Sequence, residues 1–441
     1  MEQQDLLLEV LQSYGINIES ISATSGNAVT LYEVKPVLGT RVSKIRNLKD
    51  DIAVGMGVQS VRIVAPMDNG MVGIEVPNKE RLIVPMYDIL TSKEYKSCDM
   101  ELPCAFGKTS AGVPFIRDLA SMPHMLIAGA TGQGKSVGLN MLLMSLMGKK
   151  TPEEMRLVLI DPKRVELSAY SALEGSYLAL PVITDAEKAI DELGRMCDVM
   201  EYRYSVMCDA GARNIQEYNA TAPKKMPYIV VVIDEYGDLI VSGGRKVEKS
   251  ICRLAQKSRA VGIHMIISTQ RPSATIVTGD IKANFPTRVA FRTTTGTDSR
   301  IILDQTGAEK LAGKGDMIYY GGVETERVQC ALVTDTDLNE RLDDICYKYY
   351  RDKFDDVMEI QEPEADVSKE FAEWMEKAAA LASRISYINP YRVSRSLDID
   401  YTDAKLVILK IVEKGLVYNC GGFTALMTPE MKENWVKRHA S

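Results

Sequence analysis

Between residues 106 and 340, short apolar runs alternate with stretches that have helical periodicity. Three of the runs, Arg156–Ile160, Tyr228–Ile233 and His264–Ser268, are nearly continuous in apolar and β-branched residues. Such runs are typical of parallel strands that helices cover on both faces. A further strand is expected over Arg288–Phe291, and the alternation as a whole predicts an α/β domain, assigned here to residues 106–345.

Residues 1–105 predict a smaller α/β module. The apolar positions between Leu6 and Leu11 fit an opening helix, and strands are expected over Val29–Val34, Ser60–Val64 and Met71–Val76. No residue of this module stands in a pattern typical of catalysis.

The third part of the chain follows an acidic stretch, Asp352–Asp366, which buries little and predicts a linker over residues 346–367. Beyond it, helices are expected over Phe371–Ile385, Pro390–Leu397 and Thr402–Lys414, and a small hairpin over residues 415–426. Three helices and a hairpin predict a winged-helix domain over residues 368–441. A helical cap without DNA contacts is the alternative that the pattern leaves open.

Composition narrows the class of protein. No apolar stretch of the 441 residues approaches the length that crosses a bilayer, and the first residues lack the features of a signal peptide. We therefore expect a cytoplasmic protein with no membrane segment of its own. The net charge of −7 argues mildly against a surface that coats nucleic acid but permits a local basic channel. The eight cysteines form no C-x-x-C pair and only three histidines are present, which favours reduced thiols over a zinc site.

The most specific motif fits the phosphate-loop pattern G-x-x-x-x-G-K-[ST]. It follows a buried-strand run, His124–Gly129, and precedes an apolar helix, so the phosphates of a nucleotide would lie at a helix N-terminus. In this pattern Lys135 reaches the β- and γ-phosphates and the Ser136 hydroxyl binds Mg²⁺. The context makes a glycine-rich turn without a ligand the weaker alternative, and the motif predicts binding of ATP and Mg²⁺. The pattern of parallel strands around it favours a RecA-like nucleotide-binding core. Its residues are Gly129, Ala130, Thr131, Gly132, Gln133, Gly134, Lys135 and Ser136.

Two further strand ends supply candidate chemistry. Asp234 and Glu235 follow the apolar run that starts at Tyr228, and we expect Asp234 to hold Mg²⁺ through water and Glu235 to polarise the attacking water. Gln270 follows the next run and would detect the γ-phosphate; an ordinary turn before Pro272 is the alternative. Spacing alone leaves open whether Arg288 or Arg300 serves as an arginine finger for a neighbouring subunit.

Taken together, the motifs resemble the motor region of FtsK/SpoIIIE-type double-stranded DNA translocases, over residues 5–340 and more weakly to about 426. The matching segments, besides the phosphate loop, are Val58–Val64, Gly73–Lys79, Met122–Gly129, Leu159–Lys163, Met200–Tyr204, Leu254–Ala260, Ser268–Pro272, Ile281–Arg288, Asp298–Gln305 and Lys314–Met317.

The resemblance implies a hexameric ring that threads duplex DNA, built from an α module, a RecA-like β module and a γ winged helix. It also favours Arg288 as the finger and places Arg300 nearer the central pore. We expect the DNA contacts to come from Arg300 and from the loop with Lys310 and Lys314, where Gly313 and Gly315 would make the backbone mobile.

Two departures from the family matter. The chain starts at the motor module, so the family's membrane-spanning segments and long linker are not expected. Where the family's recognition helix carries Tyr-Asn-Arg-Ala-Ala-Arg, this chain has Tyr401-Thr-Asp-Ala-Lys-Leu406. Asp403 would repel phosphates, which argues against the reading of DNA sequence by this domain.

The predicted function is an ATP-driven double-stranded DNA translocase. The alternative is a coupling or recruitment ATPase that delivers DNA or a DNA–protein complex during conjugation, phage or mobile-element transfer. The α module and its matching residues 58–79 favour translocation. An inactive DNA-binding scaffold is disfavoured because Lys135, Ser136, Asp234 and Glu235 are all present.

Overall fold

The computed structural model divides into two compact units, residues 1–358 and 359–441. It describes residues 3–349, 369–419 and 425–439, apart from residues 27–28, 59, 66, 68, 79–81 and 386. Most of the linker predicted over residues 346–367 therefore lies outside the described residues.

The first unit opens with a four-stranded antiparallel sheet and three helices. The predicted strands of this module are confirmed, and Ile18–Ser25 adds a mostly exposed edge strand that the pattern did not indicate. Leu7 and Leu11 of the first helix pack with Tyr32 and Ile74 of the sheet in a small core. The elements are α1 (Gln3–Ser13), β1 (Ile18–Ser25), β2 (Val29–Pro36), α2 (Val42–Asn47), α3 (Lys49–Gly55), β3 (Arg62–Val64) and β4 (Val72–Pro77), with the strands ordered β1-β2-β4-β3.

A nine-stranded sheet forms the centre of the same unit. Its strands are β5 (Pro103–Thr109), β6 (Pro114–Asp118), β7 (His124–Ala128), β8 (Met155–Ile160), β9 (Tyr228–Ile233), β10 (Ile263–Thr269), β11 (Thr287–Phe291), β12 (Asp316–Tyr320) and β13 (Thr325–Cys330). The order is β6-β5-β13-β12-β11-β7-β10-β9-β8. The five strands from β11 to β8 are parallel, which confirms the parallel arrangement predicted for β8, β9 and β10, and the other four extend the sheet in antiparallel pairs.

Helices cover both faces of this sheet. On one face, α6 buries Leu139, Leu142 and Leu146; on the other, α7 and α9 pack apolar side chains such as Leu193 and Ile251 against the strands. This two-sided burial explains why the parallel strands are apolar throughout. The helices are α4 (Met86–Thr91), α5 (Lys93–Lys96), α6 (Lys135–Lys149), α7 (Ala186–Asp209), α8 (Ile215–Thr221), α9 (Tyr236–Lys257), α10 (Gly279–Asn284), α11 (Gly296–Leu303) and α12 (Asp335–Tyr349).

The strand register brings four loops to one edge of the sheet. Ala128 at the end of β7 lies beside Thr269 at the end of β10, and Ile233 at the end of β9 lies beside Ile160 at the end of β8. Because the carboxyl ends of parallel strands meet, the loops that follow these four residues are neighbours, and ligands of open α/β sheets bind at such an edge.

The second unit contains a compact helical core. Residues Ala378, Val393, Val407 and Ile411 pack together from three helices. The three predicted helices are present, a fourth follows them, and residues 420–424 of the expected hairpin lie outside the described residues. The elements are α13 (Lys369–Arg384), α14 (Pro390–Leu397), α15 (Tyr401–Glu413), β14 (Tyr418–Asn419), β15 (Ala425–Leu426) and α16 (Pro429–His439). Among the residues described in either unit, none of the helices has the length and apolarity to cross a bilayer.

Candidate nucleotide-binding site

The phosphate loop runs from the end of β7 into α6 and is shaped by its glycines. Gly134 has a φ of +112°, and a Cβ atom there would lie 2.8 Å from the Gly315 nitrogen, so only glycine fits without displacing backbone. The Ala130 N–H donates to the Arg292 carbonyl at 2.9 Å, and the Gly315 N–H donates to the Gln133 carbonyl at 3.0 Å. The loop is therefore held from both sides in the curled form that directs N–H groups towards phosphate oxygens.

Lys135 begins α6 and is buried in a polar cluster. Its Nζ lies 2.5 Å from Asp234 Oδ1 and 3.0 Å from Ser268 Oγ, and only 3% of its surface is exposed. Burial raises the pKa of the Asp234 carboxyl above its ordinary value; Lys135 opposes this rise, and the nearby carboxylates of Asp161 and Glu166 add to it. The ammonium group and the carboxylate thus form one buried pair next to the phosphate loop.

The oxygen donors that suit Mg²⁺ gather at the same place. Ser136, the residue after Lys135, donates its hydroxyl to the Glu166 carboxylate, and Asp234 lies close enough to Glu166 for the two charges to interact. Hydroxyl and carboxylate oxygens are the ligands that Mg²⁺ prefers, and it usually keeps waters and substrate phosphates as the remaining ligands. Ser136 and Asp234, both predicted from the sequence, therefore fit such an ion.

Glu235 is held from three directions at the end of β9. Its carboxylate accepts hydrogen bonds from Thr269 Oγ1 at 2.6 Å and from the Gln270 N–H at 3.1 Å, and it pairs with Lys163 Nζ at 3.2 Å. Only 1% of the residue is exposed. A carboxylate fixed in this way is well suited to orient a water molecule, because its rotation is restricted before any substrate binds.

Lys163 comes from the loop that follows β8. Asp161 shapes that loop by accepting the N–H groups of Val165 and Leu167, among others, and thereby positions the lysine. Partial burial lowers the pKa of Lys163, but its attraction and hydrogen bonds to Glu235 and Asp238 outweigh that effect, so the net pKa is raised. The lysine therefore remains charged beside Glu235 at neutral pH.

Gln270 joins the phosphate loop directly. Its Oε1 accepts a hydrogen bond from the Thr131 hydroxyl at 2.9 Å, while its backbone N–H bonds to Glu235. A cavity of about 300 Å³ lies beside this contact and is lined in part by Ala130 and Arg271. One residue thus contacts both the loop expected to bind phosphate and the carboxylate expected to orient water.

The structure places Arg288 away from these groups. It lies at the start of β11, with 8% of its surface exposed, and its guanidinium group is fully engaged within its own chain. It pairs with Asp304 at 2.5 Å, donates to the carbonyls of Phe285, Ile302 and Lys282, and lies 5.4 Å from the Tyr320 ring. Action as a finger would require the guanidinium group to leave these contacts.

The three predicted DNA contacts are all exposed. Of these, Lys314 belongs to a segment that contacts the phosphate loop, because the neighbouring Gly315 N–H donates to the Gln133 carbonyl. Arg300 lies on α11, and the Lys310 carbonyl accepts a hydrogen bond from Ser60 of the N-terminal module at 3.1 Å. Lys314 lies between two glycines, and all three have positive φ. Gly315 hydrogen-bonds to the phosphate loop and Gln329 to the Lys314 carbonyl, and the positive φ angles of the two glycines form a tight turn between these contacts.

Sequence reasoning missed several residues of this site. Lys163, Glu166, Ser268 and Thr269 surround the predicted residues, and none was assigned a role. Lys163 is the last residue of the matching segment Leu159–Lys163. Its position directly after a parallel strand next to β9 was the available signal, since loops at that edge converge.

Comparison with known proteins agrees with this geometry. Residues 85–274 match the model of the FtsK/SpoIIIE family, and residues 1–78 match that of the FtsK alpha domain. The chain belongs to the FtsK/SpoIIIE family. Among curated relatives, it is 39% identical over 427 residues to the DNA translocase FtsK of Caldanaerobacter subterraneus subsp. tengcongensis, which covers 96% of this chain and 60% of the relative. It is 40% identical over 428 residues to the DNA translocase FtsK of Clostridium tetani, covering 93% and 56% respectively. The chain therefore spans at most about three fifths of these two FtsK relatives.

The chain is also similar in fold to solved structures of more distant proteins. The conjugation coupling protein TcpA of pCW3, in its monomer form with ATPγS, is 24% identical with a TM-score of 0.56 and covers 79% of this chain and 99% of that chain. The cytoplasmic domain of the type VII secretion ATPase EccC of Thermomonospora curvata is 20% identical with a TM-score of 0.53, covering 64% and 36%. These two likenesses show the fold of a P-loop ATPase motor.

Proposed function

We propose that the chain is the motor of an ATP-driven double-stranded DNA translocase. The observation that carries this proposal is the cluster at the carboxyl edge of the sheet, where Lys135, Asp234 and Glu235 meet beside the phosphate loop. The names of the curated relatives support DNA as the substrate.

The hydrolytic part of the proposal assigns one task to each group. ATP and Mg²⁺ supply the reacting phosphates and a charge that neutralises them. The N–H groups of residues 129–136 and the ammonium group of Lys135 would bind the phosphates, and Ser136 and Asp234 would hold the ion. Glu235 orients and polarises the attacking water, and Gln270 communicates the state of the γ-phosphate to the following loop.

The mechanical part of the proposal requires assembly. A homohexameric ring would thread duplex DNA past Arg300, Lys310 and Lys314, which are exposed and basic. An arginine from the neighbouring subunit, Arg288 or Arg300, would complete each hydrolytic site. The match of residues 1–78 to the FtsK alpha domain supports translocation over the coupling-ATPase alternative, because the structural likeness to TcpA concerns the fold alone.

The second unit has the elements of a winged helix, and we infer that role for it. Its three packed helices α13, α14 and α15 precede the short pair β14 and β15. Asp403 lies in the first turn of α15, where a carboxylate disfavours contact with phosphates, so the unit would add little sequence preference.

The deciding experiment measures ATP hydrolysis with and without linear duplex DNA, together with displacement of a third strand from a triplex on that duplex. Lys135→Ala should abolish nucleotide binding. Glu235→Gln should bind ATP but hydrolyse it at least ~10²-fold more slowly. An unchanged rate in Glu235→Gln would contradict the catalytic assignment. A rate of ATP hydrolysis that is the same with and without DNA, together with no displacement of the third strand, would contradict the proposal of a translocase.

A further inference from the structure

A cavity of about 330 Å³ lies between the N-terminal module and the nine-stranded sheet, on residues that the nucleotide site does not use. Its lining comes from both sides of the junction. The N-terminal module contributes Arg46, Lys49 and Arg62, and the other side contributes Lys310 and Arg327. Five basic side chains and the carboxylate of Glu309 thus border one concave space.

Two of these five residues have a structural task that fixes the walls. Arg327 is buried and pairs with Asp316 at 2.7 Å and with Glu75 at 2.9 Å, which joins β13 and β12 to β4 of the N-terminal module. Arg62 pairs with the same Glu75 at 3.2 Å. The hydrogen bond from the Ser60 hydroxyl to the Lys310 carbonyl adds a further contact. The cavity is therefore preformed, with the charges of Arg62 and Arg327 largely matched by carboxylates.

Lys49 and Lys310 differ from those two arginines because they face each other. Lys49, the first residue of α3, is partly buried, and of the charged groups around it Lys310, which lines the same cavity, has the largest effect on its charge. Burial and then the proximity of Lys310 lower the pKa of Lys49 to about 8; Asp50 and Glu309 oppose this shift without cancelling it. Two ammonium groups held together at one cavity cost free energy, which a bound anion would recover.

Arg46 adds a third positive group at the rim. Its guanidinium group donates to the Ala65 carbonyl, a neutral partner that orients the side chain without compensating its charge. A guanidinium group and two ammonium groups around a concave space match the several oxygens of a phosphoryl group, since each oxygen accepts charge-assisted hydrogen bonds.

We propose that this junction binds a phosphoryl anion between Lys49 and Lys310, with Arg46 as a third donor. The anion has two possible sources. One is a backbone phosphate of duplex DNA, and in that case the inference rests on the proposed function. A free phosphate or phosphorylated small molecule is the other source. In either case the N-terminal module and the ATPase core bind the same group, so the ligand strengthens the contact between them.

The test uses selective acetylation of lysines in the full chain, with mass spectrometry as the readout. Lys49 is compared with Lys44, an exposed lysine of the same module that does not line the cavity. The probes are a 30-base-pair duplex and sodium phosphate, each at constant ionic strength. We expect one of them to slow the acetylation of Lys49 at least severalfold while that of Lys44 stays constant. Protection by the duplex identifies the DNA backbone, protection by phosphate alone identifies a free anion, and protection by neither overturns the proposal.

Variants give a second and independent measurement. Lys49→Gln and Lys310→Gln are compared with Lys44→Gln for duplex affinity between 50 and 200 mM salt. If DNA supplies the anion, each cavity variant should reduce the salt slope by about 0.9, which is the value for one lost phosphate contact. If a free anion is bound instead, the cavity variants should lose only the stabilisation by phosphate in a thermal-melting assay.

The proposed function and this inference can fail separately. Normal DNA-stimulated hydrolysis with no protection of Lys49 rejects the anion site alone. If phosphate protects Lys49 from acetylation but DNA does not change the rate of ATP hydrolysis, the result supports the anion site and contradicts the translocase.

Discussion

Lys163 places its ammonium group 3.2 Å from the carboxylate of Glu235 and joins the loop after β8 to the end of β9. The same lysine lies 3.6 Å from Asp238 in the first turn of α9. Since Glu235 is almost fully buried, Lys163 and the hydrogen bonds from Thr269 and Gln270 determine where its carboxylate points. Lys163 is thus a positioning residue for the group expected to orient water.

We predict that Lys163→Met lowers the rate of ATP hydrolysis by roughly 10–10²-fold with little change in nucleotide affinity, since general-base assistance is worth about 10²–10⁴-fold and positioning is part of it. Lys163→Arg should restore part of the rate because it keeps the charge. The measurements are steady-state hydrolysis and equilibrium binding of a fluorescent ATP analogue. Lys93→Met, at an exposed lysine of α5, is the control. Equal losses of rate and affinity in Lys163→Met would show that it acts on binding instead.

Arg288 allows a test that separates an intrachain role from a role in trans. Arg288→Ala and Asp304→Asn both break the 2.5 Å pair between these residues and should destabilise the chain in urea unfolding. Arg288→Ala should destabilise it more, because it also removes the hydrogen bonds from the guanidinium group to three backbone carbonyls. If Arg288 also acts as a finger, Arg288→Ala should abolish hydrolysis while Asp304→Asn retains most of it.

Mixed rings provide the second half of that test. If each site of the proposed ring takes its arginine from a neighbouring subunit, mixing Arg288→Ala subunits with wild type should lower hydrolysis out of proportion to their fraction. A strictly linear dependence, in rings shown to be mixed, would exclude Arg288 as the finger. Arg300→Ala in the same assay tests the alternative arginine.

The buried pair His124 and His264 predicts how stability depends on pH. Burial lowers the pKa of His124 to about 3, with His264 adding to the shift, and burial lowers the pKa of His264 to about 4. Nδ1 of His124 accepts the Met265 N–H at 3.1 Å, so protonation of that nitrogen would break the bond. Below the unfolded pKa of about 6.5 the unfolded chain therefore binds more protons than the folded chain, and stability falls from pH ~6.5 to ~3.

Hydrogen exchange is the suitable measurement, because both tryptophans, Trp374 and Trp435, lie in the second unit and do not report on the sheet. Peptides from β7 and β10 should lose protection as the pH falls from 6.5 to 4, after correction for intrinsic rates. His124→Phe, beside the ring of Phe285, should flatten this dependence. Protection that stays constant over this range in the wild type would contradict the low histidine pKa values.

The contacts with DNA should be to phosphates, because a motor that read bases would stall at unfavourable sequences. We expect hydrolysis to be stimulated by duplexes of any sequence and the stimulation to fall steeply with salt. Removal of residues 367–441 should leave translocation largely intact, whereas Arg300→Ala should impair it. Asp403→Arg tests whether the second unit gains affinity when the repulsive carboxylate is removed. Dependence on one short DNA motif that disappears with the deletion would restore a sequence-reading role to that unit.

Local patterns in the sequence were sufficient to predict three of the parallel strands and the phosphate loop. Tyr228–Ile233 is apolar at nearly every position because helices cover it on both sides, and that burial is visible in the residues themselves. The phosphate loop can be recognised in the same way. Gly134 is the residue type that adopts a positive φ most easily, and Lys135 directly after it places a cation at the start of the helix.

The tertiary structure alone decided which distant residues meet. The antiparallel half of the sheet depends on pairing partners far apart in the chain, such as β13 with β5, and no local periodicity encodes that choice. The same holds for Lys163 with Glu235 and for Lys49 with Lys310, residues that are 72 and 261 positions apart in the sequence. Their proximity follows from strand order and from the packing of two modules, and these are properties of the whole chain.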